Sequence, residues 1–205
     1  MTVDSTAPFE LALFPLQSVL FPGALLPLKV FEARYLDLIG HCLRASAPFG
    51  VVCLRQGREV GRSGVHFEQQ GVVARIDDVD AEQAGILRVR CTGTQRFTVE
   101  GAPRQQPDGL WLADVSTLPD DEPLAPEAAL LPTVKALASA IGALREQGNA
   151  PFIEPYRFDD AGWVANRWCE ILPISLAAKH RLMVLPEPQL RLRLVDEYLR
   201  GKGVV

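Results

Sequence analysis

Ser175 and Lys179 have the spacing that a serine nucleophile and a lysine base would need, because residues four apart share one face of a helix. Ser175, however, follows Leu172-Pro173-Ile174 and directly precedes a helical pattern. A serine in that position is typical of an N-cap, in which the hydroxyl accepts a backbone N–H. We therefore predict that Ser175 begins a helix rather than acts as a nucleophile.

The histidines and cysteines form no catalytic or metal-binding pattern. His41 and Cys42 are adjacent on a predicted helix, and adjacent helical residues do not face each other. The four cysteines are widely spaced and lack the Cys-x-x-Cys pairs of zinc sites; they are Cys42, Cys53, Cys91 and Cys169. No P-loop, His-Glu-x-x-His or Gly-x-Ser-x-Gly sequence is present. The sequence predicts reduced, mostly buried thiols, no cofactor, no metal and no enzymatic activity.

An acidic run in the middle of the chain has the chemistry of a hard-cation site. It comprises Asp77, Asp78, Asp80 and Glu82. Carboxylates are the ligands that calcium and magnesium prefer, but the spacing of an EF-hand loop is missing. We therefore predict that this run is a solvated loop.

Arginines alternate along a predicted hairpin over Gly85–Gly101, whose turn is placed at Thr92-Gly93 because glycine supplies positive φ. Arg88, Arg90 and Arg96 could together hold an anion. The interpretation we favour is that Glu100 and other acidic residues neutralise them across the strands.

Composition places the chain among soluble globular proteins. It has 205 residues, of which 48% are hydrophobic and 22% charged, so one large domain or two small ones are expected. A net charge of -4 disfavours nucleic acid and a charged membrane surface as partners. We predict no signal peptide and no membrane-spanning helix, because proline or charge interrupts every long apolar stretch. The predicted location is cytoplasmic.

The chain is organised around Leu13–Tyr35, an apolar stretch broken by three prolines. Period-two alternation and turn residues predict strands at Glu10–Phe14, Ala24–Val30, Phe49–Arg55, Val72–Asp77, both arms of the Gly85–Gly101 hairpin, and Trp111–Leu118. Pro27 predicts an edge position or a bulge in the second strand, because proline cannot donate to a ladder. A helix over Glu32–Ala45 is predicted to bury Leu36, Ile39 and Leu43 and to leave Arg34 in solvent.

The acidic, proline-flanked segment from Pro119 to Pro123 predicts a boundary between domains at residues 1–118 and 119–205. After it, helices are predicted at Pro126–Glu146, from the cap Asp160 to Leu172, from the cap Ser175 to Val184, and from Pro188 to Gly201. The last is predicted to bury Leu190, Leu194, Val195 and Tyr198. Strands followed by helices indicate an α+β protein with a small, imperfectly closed barrel and a helical bundle.

Several segments in sequence order resemble the N-terminal domain of Lon proteases, which also occurs as free-standing proteins. They are Phe14-Pro15-Leu16, Val19-Leu20-Phe21-Pro22-Gly23, Leu26-Pro27-Leu28, Phe31-Glu32-Ala33-Arg34-Tyr35, Phe49-Gly50-Val51-Val52, Val60-Gly61, Ala74-Arg75-Ile76, Thr94-Gln95-Arg96-Phe97 and Leu172-Pro173-Ile174-Ser175-Leu176 with Lys179. The resemblance implies a six-stranded PUA-like pseudo-barrel followed by a helical bundle. The polar segment from Gly61 to Gly71 departs from the family pattern.

The resemblance also implies a function, because the corresponding domain of Lon takes part in substrate recognition. We predict a non-catalytic module that binds unfolded polypeptide or a protein partner, either by strand addition at a barrel edge or in an apolar groove between barrel and helices. The candidate contacts are Phe21, Pro22, Gly23, Arg58, Arg62 and Trp111. The alternative is a PUA-like module for a small molecule or RNA. No heptad seam is present, which predicts a monomer or weak dimer.

Overall fold

A computed structural model of the chain describes residues 7–56 and 65–205. The chain divides into two compact units, Met1–Pro119 and Asp120–Val205. The first unit contains a mixed sheet and one helix, and the second contains four helices with a short 3-10 turn at Ala128–Leu130, all counted over the described residues. Strands followed by helices is the α+β arrangement that the sequence predicts.

The first unit contains six described strands and one helix. They are β1 (Phe9–Leu16), β2 (Leu25–Val30), α1 (Ala33–Ala45), β3 (Phe49–Gln56), β4 (His66–Gln83), β5 (Ile86–Gln105) and β6 (Trp111–Thr117). The strand order is β2-β5-β4-β3-β1-β6, and β5 also pairs with β6. That extra pairing closes five strands into a ring and leaves β2 outside it, so the barrel is an incomplete one.

The position of β2 follows from its proline. Within the described residues β2 is the terminal strand of the order and pairs with β5 alone, from Leu25–Thr92 to Val30–Leu87. Pro27 is thus tolerated, since an edge strand can direct its missing N–H away from the ladder. The predicted edge position is confirmed. β3, by contrast, lies between β1 and β4, and its apolar residues on both faces are buried, as predicted.

The predicted hairpin turn at Thr92-Gly93 is wrong, because β5 runs without a break through both positions. Gly93 is absent from the glycines with positive φ; the turn before β5 uses Gly85, with φ 79°. Gly93 instead pairs with the loop that precedes β2: its N–H donates to Ala24 O at 2.9 Å, and its carbonyl accepts from Gly23 N at 2.8 Å. A Cβ there would lie 2.4 Å from Phe21 O, so contact with this loop requires glycine.

The acidic run also belongs to a strand rather than to a loop. Asp77, Asp78 and Asp80 lie on β4, which is longer than the sequence predicts because it continues to Gln83. Register shifts between Ile76 and Asp78 and between Ala81 and Gln83 bend this part of the strand.

α1 buries only part of the predicted face, since Ile39 is fully buried and Leu36 is half-buried. Leu43 is 51% exposed, whereas Arg34 is 6% exposed. The Arg34 guanidinium donates to Gly109 O at 2.9 Å and to Glu32 Oε2 at 3.0 Å, and it lies over the Tyr35 ring. Tyr35 in turn stacks on Phe14 with ring centroids 3.8 Å apart. Arg34 is buried because a carbonyl and a carboxylate satisfy its charge.

Two glycines make room for a fully buried phenylalanine in the core of the ring. Phe97 is fully buried among β1, β3 and β4 residues such as Leu11, Leu13 and Val52. A Cβ at Gly50 would lie 2.8 Å from Phe97 Cζ, and one at Gly71 would lie 2.7 Å from the same atom. Both positions therefore require glycine, because Phe97 is held in a close-packed interior and cannot move away from an added Cβ.

The second unit contains α2 (Leu131–Glu146), α3 (Ala161–Ile171), α4 (Leu176–Val184) and α5 (Pro188–Gly201). Two predicted caps are confirmed. The Asp160 side chain accepts from the N–H groups of Gly162 and Trp163, and the Ser175 side chain accepts from Ala178 N. Each side chain satisfies a backbone N–H that the first turn of its helix leaves unpaired.

The predicted inner face of α5 is largely wrong. Leu190 and Leu194 are 40% and 41% exposed, while Val195 is buried as predicted. The helix buries the neighbouring stripe of Leu192, Val195 and Leu199, together with Arg191 and Asp196. Apolar spacing alone does not distinguish the two stripes, because leucines occur on both.

Arg191 joins three segments of the second unit and is fully buried. Its guanidinium donates to both carboxylate oxygens of Asp121, at 2.6 and 3.1 Å, and to Asn166 Oδ1 at 3.0 Å. It also donates to the backbone carbonyls of Leu182 and Leu185 at the end of α4. The linker, α3 and α4 are therefore connected through one side chain of α5.

One helical segment of the described chain, Ala128–Glu146, is long and apolar enough to cross a membrane by length and composition, with mean hydropathy 1.3. It contains Pro132, Lys135 and Arg145, and 28% of the most apolar window is buried. Its buried residues are Leu130, Thr133, Val134, Leu137 and Ile141. They form one face of the helix, which is the pattern of a helix packed on others.

Replacing Gly93 tests the close contact between β5 and the loop before β2. Gly93→Ala should lower the free energy of unfolding by about 1–3 kcal/mol, because the added methyl group overlaps a backbone carbonyl. Gly142→Ala is the control, since a Cβ there meets nothing within 4 Å. That change should raise stability by about 0.5–1 kcal/mol through the loss of backbone freedom in the unfolded chain. Urea unfolding followed by circular dichroism measures both, and equal effects would contradict the proposed contact.

The connecting role of Arg191 can be tested against an arginine two positions away. Arg191→Met should cost about 3–5 kcal/mol, because it leaves the Asp121 carboxylate and two carbonyls without their donor. Arg193 forms an exposed ion pair with Glu127, so Arg193→Met should cost less than about 1 kcal/mol. The measurement is the urea midpoint of each variant, and a loss in Arg191→Met no larger than in Arg193→Met would refute the assignment.

Candidate functional site

Three strand segments extend beyond the closed ring and form what we call the arm. They are Leu25–Val30 of β2, residues 75–83 of β4 and residues 86–92 of β5. The pairing of β4 with β3 ends at Ala74, so the arm is a three-stranded sheet with β5 at its centre. Its outer strands, β2 and β4, each have one side that no other described strand covers.

Charged side chains occupy one face of the arm. Lys29 is opposite Arg88, which is opposite Asp80, and Pro27 is opposite Arg90, which is opposite Asp78. Because side chains alternate between faces along a strand, these residues share one surface. The other face carries the apolar residues Leu26, Leu28, Val30, Val89 and Cys91.

A groove of about 480 Å³ lies on the arm. Its lining residues come from all three strands: Pro27, Leu28, Lys29, Asp78, Asp80, Arg88, Val89 and Arg90. The groove combines an apolar part with cations and carboxylates at fixed spacing. An extended chain presents alternating side chains and a polar backbone, which is the kind of ligand that such a lining suits.

Positive and negative charges separate across the arm. Lys29, Arg88 and Arg90 lie on β2 and β5, whereas Asp78 and Asp80 lie on β4, which also carries Arg75. Arg90 Nη2 is 3.6 Å from Asp78 Oδ2, with the two side chains 59% and 61% exposed. Asp77 accepts from Arg75 at 3.1 Å and from Thr92 at 2.5 Å. Exposed ion pairs of this kind contribute about 0–1 kcal/mol each, so a ligand can exchange them at little cost.

A second hollow of about 470 Å³ lies where the end of α1 meets β4. Leu43, Pro48 and Ile76 line its apolar part, and Arg75 and Thr94 line its polar part. Leu43, which was predicted to be buried, is exposed on the wall of this hollow.

The described members of the predicted contact set differ in exposure. Phe21 is fully buried, so its side chain is not available to a ligand. Gly23 is exposed, has φ 75° and pairs with Gly93, which makes Pro22-Gly23 a turn held against β5. Trp111 is half-buried and packs edge-on against Phe67, with ring centroids 5.4 Å apart. Arg58 and Arg62 lie outside the described residues.

The predicted arginine stripe is reduced to two members. Arg96 is 4% exposed and its guanidinium donates to Pro119 O at 2.8 Å, so it lies in the interior of the first unit. Glu100 accepts from Ser116 rather than from an arginine. Arg88 and Arg90 remain on the surface, where β4 supplies the neutralising carboxylates that the sequence analysis assigned to a loop. In the sequence, charged and apolar residues alternate over 78–81 and 87–91, which is compatible with two paired strands but does not specify their register.

Ser175 and Lys179 do not form a catalytic pair. The Ser175 hydroxyl caps α4, and Lys179 Nζ donates to Glu170 O at 2.9 Å. Burial raises the pKa of Glu170 to about 7, against the opposing effects of Arg167 and Lys179. Arg167 Nη2 is 2.5 Å from Glu170 Oε1, so this perturbed carboxylate belongs to an ion pair within the helical unit. Over the described residues, no group of three or more His, Cys, Asp or Glu side chains could hold a metal ion.

All four thiols are buried, as the sequence predicts. Burial raises the pKa of Cys53 to about 11 and that of Cys91 and Cys169 to about 12, and it also raises the pKa of Cys42. A thiol in such surroundings stays protonated near neutral pH and is a poor nucleophile or metal ligand.

Comparison with known proteins agrees with this architecture. A family model for the ATP-dependent protease La (LON) substrate-binding domain matches residues 10–201. A Lon N-terminal domain protein from Xanthomonas campestris has a similar solved structure, with TM-score 0.71, 33% sequence identity, and coverage of 93% of this chain and 98% of that chain. The N-terminal domain of Mycobacterium avium complex Lon protease shares the fold, with TM-score 0.63, 16% identity and coverage of 93% and 97%. Curated protein sequences gave no match.

The chain therefore belongs to the family of the Lon substrate-binding domain. Membership of this family identifies it as a substrate-binding module. Its 205 residues contain no P-loop.

The state of the thiols can be measured directly. Because their pKa values lie well above 8, the native protein should react with less than about one equivalent of a thiol-specific reagent at pH 8. In urea all four thiols should react, because unfolding exposes them and returns their pKa values to about 8.5. Rapid labelling of the native protein would contradict the buried positions.

Proposed function

We propose that this protein is a non-catalytic module that binds extended polypeptide, and that the bound segment adds a strand to the open side of β2. The observation that supports this proposal is the terminal position of β2 beside the groove. An edge strand presents backbone N–H and C=O groups that another chain can pair with. Main-chain hydrogen bonds then supply affinity, and the groove selects the side chains.

The two open sides of the arm differ in how well they can accept a strand. Along β4, register shifts at Ile76–Asp78 and Ala81–Gln83 interrupt the regular spacing of backbone groups. Bulges and charged residues protect an edge against pairing. β2 pairs with β5 in unbroken register over six residue pairs. Its side is therefore the regular one, and Pro27 removes one donor from it, which favours reversible binding over permanent association.

The alternative, a PUA-like module for RNA or a small anion, has weaker support. Arg96 is buried, and Arg88 and Arg90 on the arm lie directly opposite Asp80 and Asp78 on the neighbouring strand. Recognition of nucleic acid depends on a basic surface that neutralises several phosphates.

Fluorescence anisotropy with a labelled unfolded polypeptide tests the proposal, with a single-stranded RNA oligomer in parallel. Arg90→Ala should weaken polypeptide binding by about fivefold, which corresponds to one lost charged hydrogen bond of roughly 1 kcal/mol. Arg104 is the matched control, since it also lies on β5, is also 59% exposed and also forms an ion pair, with Glu10. Arg104→Ala should change the affinity by less than about twofold. RNA binding that falls steeply with salt and exceeds polypeptide binding would favour the alternative.

A chemically modified ligand tests strand addition itself. A bound peptide is expected to lose its affinity when N-methyl groups replace the N–H hydrogens on one edge of its extended form and to keep it when they are on the other edge. Only the edge that faces β2 needs those donors. Equal affinity of the two methylated peptides would exclude a β-ladder as the mode of binding.

A further inference from the structure

The charges of the arm have a consequence for the sequence of a bound segment. A strand added to β2 would have Leu25, Pro27 and Lys29 as its direct neighbours on the charged face. The next strand on that face carries Arg88 and Arg90, and the carboxylates of Asp78 and Asp80 lie one strand further away. Neighbouring strands are about 4.8 Å apart, so a bound side chain on this face is nearest to cations and most distant from the acidic residues.

The opposite face of the same strand is apolar. Leu26 and Leu28 are half-buried at the edge of the arm, and Val30 is buried next to them. A strand added beside β2 would cover the remaining exposed part of these leucines. Apolar side chains on that face of the bound segment would gain from contact with them, because burial of apolar surface is favourable. The two faces of β2 therefore favour different chemistry at alternate positions.

The cations of the arm already interact with other groups of the protein, but a ligand carboxylate can still bind to Arg90. Arg90 is ion-paired with Asp78 across 3.6 Å, and Lys29 and Arg88 make interactions of their own. The Arg90 and Asp78 side chains are more than half exposed. A carboxylate of the ligand can join such a pair without leaving a buried charge behind.

We infer that the β2 edge selects extended segments in which acidic residues alternate with apolar ones, the acidic side chains lying on the face of Lys29, Arg88 and Arg90. This inference rests on the proposed polypeptide binding and specifies its substrate class. The acidic positions lie two residues apart, because side chains on one face of a strand recur with period two. Basic segments are disfavoured at this edge, since their cations would lie beside Lys29.

Three peptides of equal length, each half charged and half leucine, test this preference by fluorescence anisotropy. The first alternates Asp and Leu, the second alternates Lys and Leu, and the third has the composition of the first with its Asp and Leu residues in separate blocks. The first should bind about tenfold more tightly than either of the others. Its Asp side chains would lie beside Lys29 and on the same face as Arg88 and Arg90, while its Leu side chains would cover Leu26 and Leu28. Its advantage over the second should shrink at high salt.

Charge reversal in the protein should exchange the preference. The double variant Lys29→Glu with Arg90→Glu should bind the Lys-Leu peptide more tightly than the Asp-Leu peptide, and Arg104→Glu should leave the order unchanged. Circular dichroism and the urea midpoint confirm that each variant is folded. If charge reversal destabilises the arm, Lys29→Gln with Arg90→Gln provides the same test, with the tenfold ratio expected to fall to about twofold.

The outcomes distinguish this inference from the function on which it rests. If all three peptides bind equally and the unfolded polypeptide binds with the dependence on Arg90 described above, the substrate class is wrong and the proposed function stands. If the Lys-Leu peptide binds most tightly to the unaltered protein, the inference is overturned, and the acidic β4 side becomes the binding edge. If neither the peptides nor the unfolded polypeptide bind, the proposed function fails as well.

Discussion

The backbone ladder of β5 is the interaction on which the first unit depends. This strand spans Ile86–Gln105 and pairs with β2, β4 and β6 at different points along its length. Its second half closes the ring through β6, and its first half forms the centre of the arm. The two halves are joined at Gly93, where the absence of a side chain allows the loop before β2 to approach. One continuous strand thus couples the stability of the ring to the position of the arm.

The helical unit depends on the buried guanidinium of Arg191 rather than on a backbone ladder. Arg191 is taken fully out of water, which costs free energy unless every donor is paired. Asp121, Asn166 and two carbonyls provide those acceptors. Gly162 allows this arrangement, since a Cβ there would lie 2.8 Å from Asp121 Oδ2. The linker is consequently part of the helical unit and not a free tether.

The proposed function accounts for selectivity in two steps. Main-chain pairing at β2 would accept any sequence that can adopt an extended conformation, and the side chains of the arm would then distinguish among such sequences. Exposed, weakly paired charges suit this role because they can exchange partners, whereas a buried charge such as Arg34 or Arg191 is committed to the fold. On the proposed function, buried arginines therefore stabilise the fold, and exposed arginines of the arm contact the ligand.

Local chemistry made part of this structure predictable. The caps Asp160 and Ser175 and the edge position of Pro27 each follow from a single residue type and its neighbours. The sequence by itself determined them, along with the family and the division into strands followed by helices. Tertiary structure alone decided the contact at Gly93 and the shared face of Arg90 and Asp78. These features require residues distant in sequence to meet, and strand register is set by long-range pairing that no local pattern encodes.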